Sequence, residues 1–357
     1  MKVGIVGGGF AGLAAAIAFR DNGHEVTVYE KSTGPSAMGG AISLAPNALS
    51  CLKVLGVRKE VTTEPWSRMP ASVRTPGGRI LVRRSLGQLT GGGEFAAVTR
   101  AQLISWLAAE LPSHCVHYSR NVTYVGLDGT IEISGVGQRF DLVVAADGLR
   151  SLARRSLWAD AQPPRPTGIT GWAWIVERRL ETGFGVIWGR ETEFGILPLI
   201  DGRTYVYGGD RSGQTDLRRF LDWPEPLPSL IDAATPEKMI TPQIFEARPP
   251  RQLRRGKVCL IGDAAHCMRP TFGQGAALAM EDAIALAYGG PSRLSTRWPR
   301  MLTLYGLSKA GSRFAAPGTV PLERARNVAL RLLPDPVFGV MAGSVSHWRV
   351  NPGLNAA

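Results

Sequence analysis

KVGIVGGGFAGLAAAIAFRDNGHEVTVYEK occupies residues 2–31. Val3 to Val6 make an apolar run of strand length, rich in β-branched residues. Gly7, Gly9 and Gly12 follow it directly as GxGxxG. Leu13 to Phe19 read as a helix, Gly23 ends that helix, and Glu25 to Tyr29 read as a second strand. In such a unit the first glycine permits the tight turn, the second lets the backbone approach a pyrophosphate, and the third packs helix on strand. Glu30, at the tip of the second strand, is placed to accept the ribose hydroxyls of an adenosine. GxGxxG alone is a weak signal. Here the strand before it, the helix after it and the acid beyond make it specific.

Working outward, residues 257–286 read KVCLIGDAAHCMRPTFGQGAALAMEDAIAL and repeat the strand–loop–helix order. Val258 to Ile261 predict a buried strand, stopped by Gly262-Asp263. A loop with Pro270 and Gly273 follows. A long helix starts near Gly275, with Ala276, Ala279, Met280, Ala283 and Ala287 on a small-residue face. Unpaired amides at a helix start carry partial positive charge, and glycines there admit a ligand to the backbone. The stretch suits a polar ligand with an electron-rich edge; a plain strand–loop–helix crossover fits it too. Between the two lies DLVVAADGLRSLARRSL at 141–157. Asp147-Gly148 again ends a strand with an acid and a glycine, followed by Arg150, Ser151, Arg154 and Arg155. This suits the phosphates or ribityl chain of a dinucleotide, or a structural turn.

Elsewhere, Pro46-Asn47 starts a helix ending at Gly56, and Ala71 to Val82 predict a hairpin turning at Pro76-Gly77-Gly78. Thr99 is a suitable N-cap for a helix from Arg100 to Leu111. Short strands are expected at Val116-Tyr118, Val122-Leu127, Thr130-Ile133 and Arg139-Ala145. The texture changes from Pro163. Thr167 to Gly209 alternate as four antiparallel strands carrying Trp172, Trp174, Trp188, Phe194 and Tyr205, which are candidate walls of an apolar substrate cavity or simple core. Strand alternation puts Trp172 and Trp174 on one face, so both line the cavity or neither does. Residues 296–314 and 321–345 read as helices, broken by Pro317-Gly318 and Pro334.

The net charge of +12 comes from 34 arginines against 7 lysines. They are spread in pairs, with no basic block and no nucleic-acid motif. This reads as a solvated basic surface with some arginines serving anionic cofactors, and no nucleic-acid partner. Cys51, Cys115, Cys259 and Cys267 show no CxxC and no zinc spacing, so reduced thiols in a cytoplasmic protein are expected, and no metal. Glycines interrupt the apolar N-terminus, which argues against a signal peptide. No apolar run is long enough for a membrane span.

GxGxxG, then Asp147-Gly148, then Gly262-Asp263, in this order and at these separations, resemble the single-component FAD-dependent aromatic monooxygenases. The likeness is to the salicylate hydroxylase-like, urate hydroxylase-like and tetracycline-oxidising members. GDAAHCMRPTFGQGAALAMEDA and GAISLAPNAL both match that family, over most of residues 1–290. The resemblance implies an α/β fold: a Rossmann-like FAD-binding domain, an antiparallel β-sheet substrate domain and C-terminal helices. The expected ranges are 1–70, 96–165 and 250–295 for the first, 71–95 and 166–249 for the second, and 296–357 for the helices.

By the same resemblance, Gly7, Gly9, Ala11 and Gly12 cradle the pyrophosphate of non-covalent FAD. Glu30 and Lys31 meet the adenosine ribose, and Val122 meets the adenine through its backbone. Ser43 and Arg100 contact FAD, and Asp263 holds its ribityl or pyrophosphate portion. Pro270, Gly273, Gly275, Ala276 and Ala277 line the flavin ring. Asp147 and Arg154 belong to the motif linked with FAD and NAD(P)H, while no acid–base role follows for His266. NAD(P)H is a transient co-substrate, O2 adds at flavin C4a as a hydroperoxide, and an aromatic or polycyclic small molecule is hydroxylated or epoxidised.

Two departures bear on the substrate. Trp172 is followed by Ala173, where salicylate- and urate-type relatives often carry an arginine. That points towards a neutral, larger substrate. Trp172-Ala173-Trp174 is similar to the WxWxIP pattern of flavin-dependent halogenases, with Val176-Glu177 in place of Ile-Pro. A halogenase, a flavin dehydrogenase, and a flavoprotein that sequesters a hydrophobic ligand without turnover stay open as alternatives. No second GxGxxG exists for a resident nicotinamide.

Overall fold

The computed structural model describes residues 1–35, 39–57, 61, 68–89, 93–181, 183–333, 343–346 and 348. Strand Lys2–Val6 lies at the centre of a six-stranded sheet, flanked in parallel by Glu25–Tyr29 and Leu142–Ala145. Val258–Leu260 continues the sheet beyond Leu142–Ala145, and Val116–His117 closes the other side. Strands buried on both faces need near-continuous apolar runs, and the first and third motifs supply them. Helix Phe10–Asp21 covers the sheet with Phe10 to Phe19 all buried. The long helix Gly275–Ser295 packs against it and kinks at Gly290-Pro291.

One expected strand is two. Val136–Arg139 pairs antiparallel with Thr130–Ile133 in a small three-stranded sheet, and only Leu142–Ala145 enters the parallel sheet. The turn between 133 and 136 puts Ser134 and Gly135 at φ 52° and 81°. Positive φ at both central residues is the hairpin geometry that matches strand twist. The hairpin therefore takes Arg139 away from the run that follows.

The seven-stranded cover sheet runs in the order Gln243–Glu246, Arg165–Val176, Thr204–Asp210, Thr192–Pro198, Phe184–Trp188, Pro70–Arg74 and Ile80–Ser85. The four strands expected after Pro163 are all present and mutually antiparallel. The expected hairpin is Pro70–Arg74 with Ile80–Ser85, which joins Phe184–Trp188 in parallel. A short pair, Ala41–Leu44 with Ala96–Thr99, lies between the two large sheets. Thr99 caps the helix Arg100–Ala109 by accepting from the Gln102 amide.

Two rings in the cover sheet lie over glycines of the paired strand. A Cβ on Gly195 would stand 2.0 Å from the Tyr207 ring, and one on Gly208 would stand 2.5 Å from the Phe194 ring. Helices Trp298–Ala315 and Val320–Leu332 follow the kinked helix. The expected helix over 321–345 stops at Leu332; residues 334–342 lie outside the described residues. Among the described residues no helix is long and apolar enough to cross a membrane.

Candidate active site

The first motif builds half of a groove. Gly7 has φ 101°, and a Cβ there would meet the Ala146 carbonyl at 2.5 Å. A Cβ on Gly12 would meet the Gly7 carbonyl at 1.9 Å. Both positions therefore require glycine to close helix on strand. Gly9 differs: a Cβ there would meet nothing within 4 Å. Its backbone faces open space, as a pyrophosphate cradle demands. Ala11, in the first turn, would lie 2.8 Å from a Cβ on Gly262, so the loops of the first and third motifs touch.

Glu30 is fixed at both oxygens. One accepts the Gly8 amide at 2.6 Å, the other the Ser32 amide at 2.8 Å. Partial burial pushes its pKa up, but the bonds from Ser32 and Gly8, with Lys31 beside it, hold it below the ordinary value. An ionised carboxylate locked in this way is a ready acceptor for sugar hydroxyls. Lys31 is exposed. The Ser119 and Arg120 amides donate to the Ser32 and Glu30 carbonyls, both at 2.8 Å, and lay the chain leading to Val122 along the same end of the groove.

In the second motif Asp147 uses one oxygen to accept the Leu152 amide at 2.6 Å and the Ala153 amide at 3.3 Å. The other oxygen is buried without a hydrogen-bond partner among the described residues. Burial pushes the carboxyl up. A buried unpaired acceptor is costly unless something else donates to it. It therefore fits a ligand hydroxyl or amide in the groove. Arg154 has a different task. Its guanidinium donates to the carbonyls of Ala264, Ala265, Gln162 and Arg248 at 2.8–3.0 Å. It is buried, and its two terminal nitrogens are committed to carbonyls of the third motif and of the segments beside it.

The third motif closes the groove. Asp263 opens the turn Asp263–His266, is exposed, and accepts no hydrogen bond from any described residue. Arg100 faces Asp263 electrostatically and stacks on Phe10 at 4.7 Å. Gly273 sits at φ 63°, and a Cβ there would lie 2.2 Å from the Ser43 hydroxyl. Gly275 opens onto empty space, Ala276 is half-buried and Ala277 buried. Pro270 is exposed in the turn before them. Ser43, Arg100, Asp263 and residues 270–277 thus meet around the start of the long helix.

Beneath this helix start lies a charge network that reading the sequence missed. Asp282 accepts from His266 at 2.5 Å and from Arg297 at 2.8 Å. Glu281 accepts from Arg297 and Arg300, each at 2.7 Å, and from Asn47 at 2.7 Å. Both acids are 0% exposed. The acidic pair was visible in AMEDA, but in an alanine-rich helix it looks like ordinary surface charge.

The predicted aromatic walls divide between two faces of the cover sheet. Trp172, Trp174 and Phe194 are 2%, 2% and 0% exposed and form a core with Phe220, Leu227 and Leu230. Trp172 stacks on Phe194 at 5.8 Å, and the Trp174 indole donates to the Leu230 carbonyl at 3.0 Å. They seal the sheet against the segment 217–232 and are not pocket walls. Trp188 packs edge-on to Phe314 at 6.2 Å, under the C-terminal helices. Tyr205 alone of the five turns to the cofactor half. A Cβ on Gly40 would stand 2.5 Å from its hydroxyl, which accepts from the Ala41 amide and faces Arg100. Burial pushes the phenol to about 12, so it remains a donor.

On that same face stand Tyr207, ring to ring with Tyr205 at 5.8 Å, and Glu193, between Trp188 and Gly209 in the strand register. Glu193 was not picked out from sequence. Alternation with Phe194 puts Glu193 on the face opposite the sealed core, but only the fold shows which face meets the groove.

The family described as FAD binding domain matches residues 1–289. An aurachin C monooxygenase/isomerase from Stigmatella aurantiaca is 30% identical over 312 residues, covering 80% of this chain and 81% of that protein. A 2-heptyl-3-hydroxy-4(1H)-quinolone synthase from Pseudomonas aeruginosa is 32% identical over 328 residues, covering 85% and 83%. The crystal structure of Klebsiella pneumoniae HpxO complexed with FAD and uric acid superposes with a TM-score of 0.86 at 25% identity, covering 97% and 96%. With its groove, its cover sheet and these relatives, the chain belongs to the FAD binding domain family, among the FAD-dependent aromatic monooxygenases.

Proposed function

We propose that this protein hydroxylates or epoxidises an aromatic or polycyclic small molecule, using NAD(P)H and O2. The observation that carries the reading is the meeting of three motifs around the start of the long helix, with Tyr205 of the cover sheet beside Arg100. In the groove, Gly7, Gly9, Ala11 and Gly12 hold the pyrophosphate of FAD. Glu30 and Lys31 hold the adenosine ribose, and the backbone at Val122 meets the adenine. Asp263 and the free oxygen of Asp147 accept from polyol hydroxyls of the cofactor. Ser43, Arg100, Pro270, Gly273, Gly275, Ala276 and Ala277 surround the flavin ring. Bound FAD would supply the redox chemistry, electron transfer from a nicotinamide and activation of oxygen.

The chain's own residues position and exclude. The start of the helix at Gly275 directs unpaired amides and partial positive charge at the electron-rich edge of the ring. The paired acids below keep that helix start rigid and dry. The cover sheet shuts the reacting end from water, which limits wasteful loss of activated oxygen. Tyr205, protonated at neutral pH, donates from that wall. We assign the groove-forming parts to 1–70, 96–165 and 250–295, the substrate cover to 71–95 and 166–249, and residues 296–357 to a helical closure. Four free, buried cysteines suit a reducing cytoplasmic setting.

The test is turnover under labelled dioxygen with phenols, quinolones and polyketides as candidate substrates. One labelled oxygen in the product, with matched NAD(P)H consumption, is expected. Label from water, a halogenated product, or turnover without oxygen would refute the reading.

A further inference from the structure

Glu193 lies in the strand Thr192–Pro198, on the face of the cover sheet that carries Tyr205 and Tyr207. Its neighbours in the register are Trp188 on one side and Gly209 on the other. A Cβ on Gly209 would stand 4.0 Å from the Glu193 side chain, so that flank of the carboxyl carries no side chain of its own strand partner. Glu193 keeps accessible surface, yet the protein around it desolvates it. That combination marks a group lining an interior hollow.

No described residue donates a hydrogen bond to Glu193. Three groups face it: Arg211, Arg326 and Tyr207. Both arginines are committed elsewhere. Arg211 donates to the Ala316 carbonyl at 3.0 Å and the Ser312 hydroxyl at 2.5 Å. Arg326 donates to the carbonyls of Ala315 and Trp188. Arg269, next to Pro270 at the flavin end, also reaches the Ser312 hydroxyl, at 3.4 Å. Glu193 therefore sits where the cover sheet, the C-terminal helices and the loop before the long helix converge. Burial pushes its carboxyl up to about 7, against the pull of Arg211 and Arg326.

We propose that Glu193 determines substrate specificity: it accepts a hydrogen bond from a ring N–H or O–H of an uncharged aromatic or heteroaromatic substrate, and it turns away substrates that carry a carboxylate. The inference rests on the monooxygenase reading above and adds the substrate class. A desolvated carboxyl without donors is a costly arrangement in the free protein. A donor-bearing ring removes that cost, an N-alkylated ring does not, and a second carboxylate in the same hollow adds repulsion to it.

The experiment uses the FAD-loaded full chain, with binding read from the shift in flavin absorbance. The probes are 4(1H)-quinolone, its N-methyl derivative and quinoline-4-carboxylate. The wild type should bind the N–H compound roughly tenfold or more tighter than the N-methyl compound, as a charge-assisted bond implies. The preference should grow from pH 6 to pH 8 as the carboxyl ionises. In Glu193→Gln the preference should shrink and lose its pH dependence, and the carboxylate probe should bind better. Glu193→Leu should abolish the preference.

Equal binding of the N–H and N-methyl compounds by the wild type, or binding of neither, overturns the proposal. So does a preference left unchanged in both variants. If the variants fail to retain FAD, a flat wild-type preference between pH 6 and pH 8 overturns it, and a rising one supports it. Failure of the monooxygenase reading looks different: the N–H preference stands while no labelled oxygen reaches any product.

Discussion

Glu281 and Asp282, under the start of the long helix, and Glu193, on the cover sheet, are acids of similar chemistry in opposite company. The first two have lost all contact with solvent, and Arg297, Arg300, His266 and Asn47 answer them bond for bond. Glu193 keeps part of its surface and receives no hydrogen bond from any described residue. Burying an ion costs several kcal/mol, and close partners with good geometry return much of it. Where the protein supplies the partners itself, the result is a fixed base under the cofactor groove. Where it encloses an acid and withholds the donors, the remaining bond is available to something that comes and goes.

The largest effect expected of that contrast lies in the paired site. Arg297→Met leaves both acids short of a partner and should cost about 3–5 kcal/mol of stability, measured by denaturant unfolding. A loss under about 1 kcal/mol would mean that the pairing does not support the fold. The same pairing carries a pH signature. Burial alone would raise the Asp282 carboxyl, but His266 and Arg297 hold it below its ordinary value. Its stabilisation is therefore present above a pH of about 4 and is lost as pH falls through the lowered value.

Asp263 comes next, because it too accepts no hydrogen bond from any described residue, and on the proposed reading it faces the cofactor. Asp263→Ala should weaken FAD binding by about one to two decades, the worth of a hydrogen bond to a charged acceptor, roughly 1.5–3 kcal/mol. Titration of the apoprotein with FAD measures it. An unchanged dissociation constant would place Asp263 outside the cofactor's reach.

The smallest effect is at Glu193, and its sign is reversed. Its folded pKa is raised, so neutral Glu193 costs little below about pH 4.5, and the penalty appears as pH rises through about 7. Glu193→Gln should melt level with the wild type at pH 5 and a few degrees above it at pH 9. A variant less stable than the wild type at pH 9 would show that Glu193 is a paired structural acid after all.

The cofactor half could be read from sequence because its constraints are local. Gly7 holds a positive φ of its own and Gly12 faces the Gly7 carbonyl, and strands buried on both faces announce themselves as apolar runs. The cover sheet gives up its strands by alternation but not its orientation. Trp172 and Trp174 do share a face, as period two requires, yet which face meets the groove depends on where residues 217–232 fold back. Glu193 went unnoticed for the same reason, since its charged neighbours Arg211 and Arg326 are distant in the chain. Arg154 belongs by resemblance to a motif linked with FAD and NAD(P)H, and in the fold its guanidinium meets four carbonyls, all distant in the chain or set by the fold. Val136–Arg139 was hidden because a two-residue turn leaves almost no compositional gap.

The crossed rings of the cover sheet have a consequence for how such an enzyme diversifies. The hydroxyl end of the Tyr207 ring lies against Gly195, and no side chain at 195 is compatible with that pose. Any residue with a β-carbon there would lift the ring off the sheet towards the groove and make the hollow shallower. Gly208 and Phe194 form the matching pair on the sealed side, where the same change would only damage the core. On the monooxygenase reading, position 195 would then act as a depth stop for the substrate chamber, one that a lineage could reset without changing the cofactor motifs.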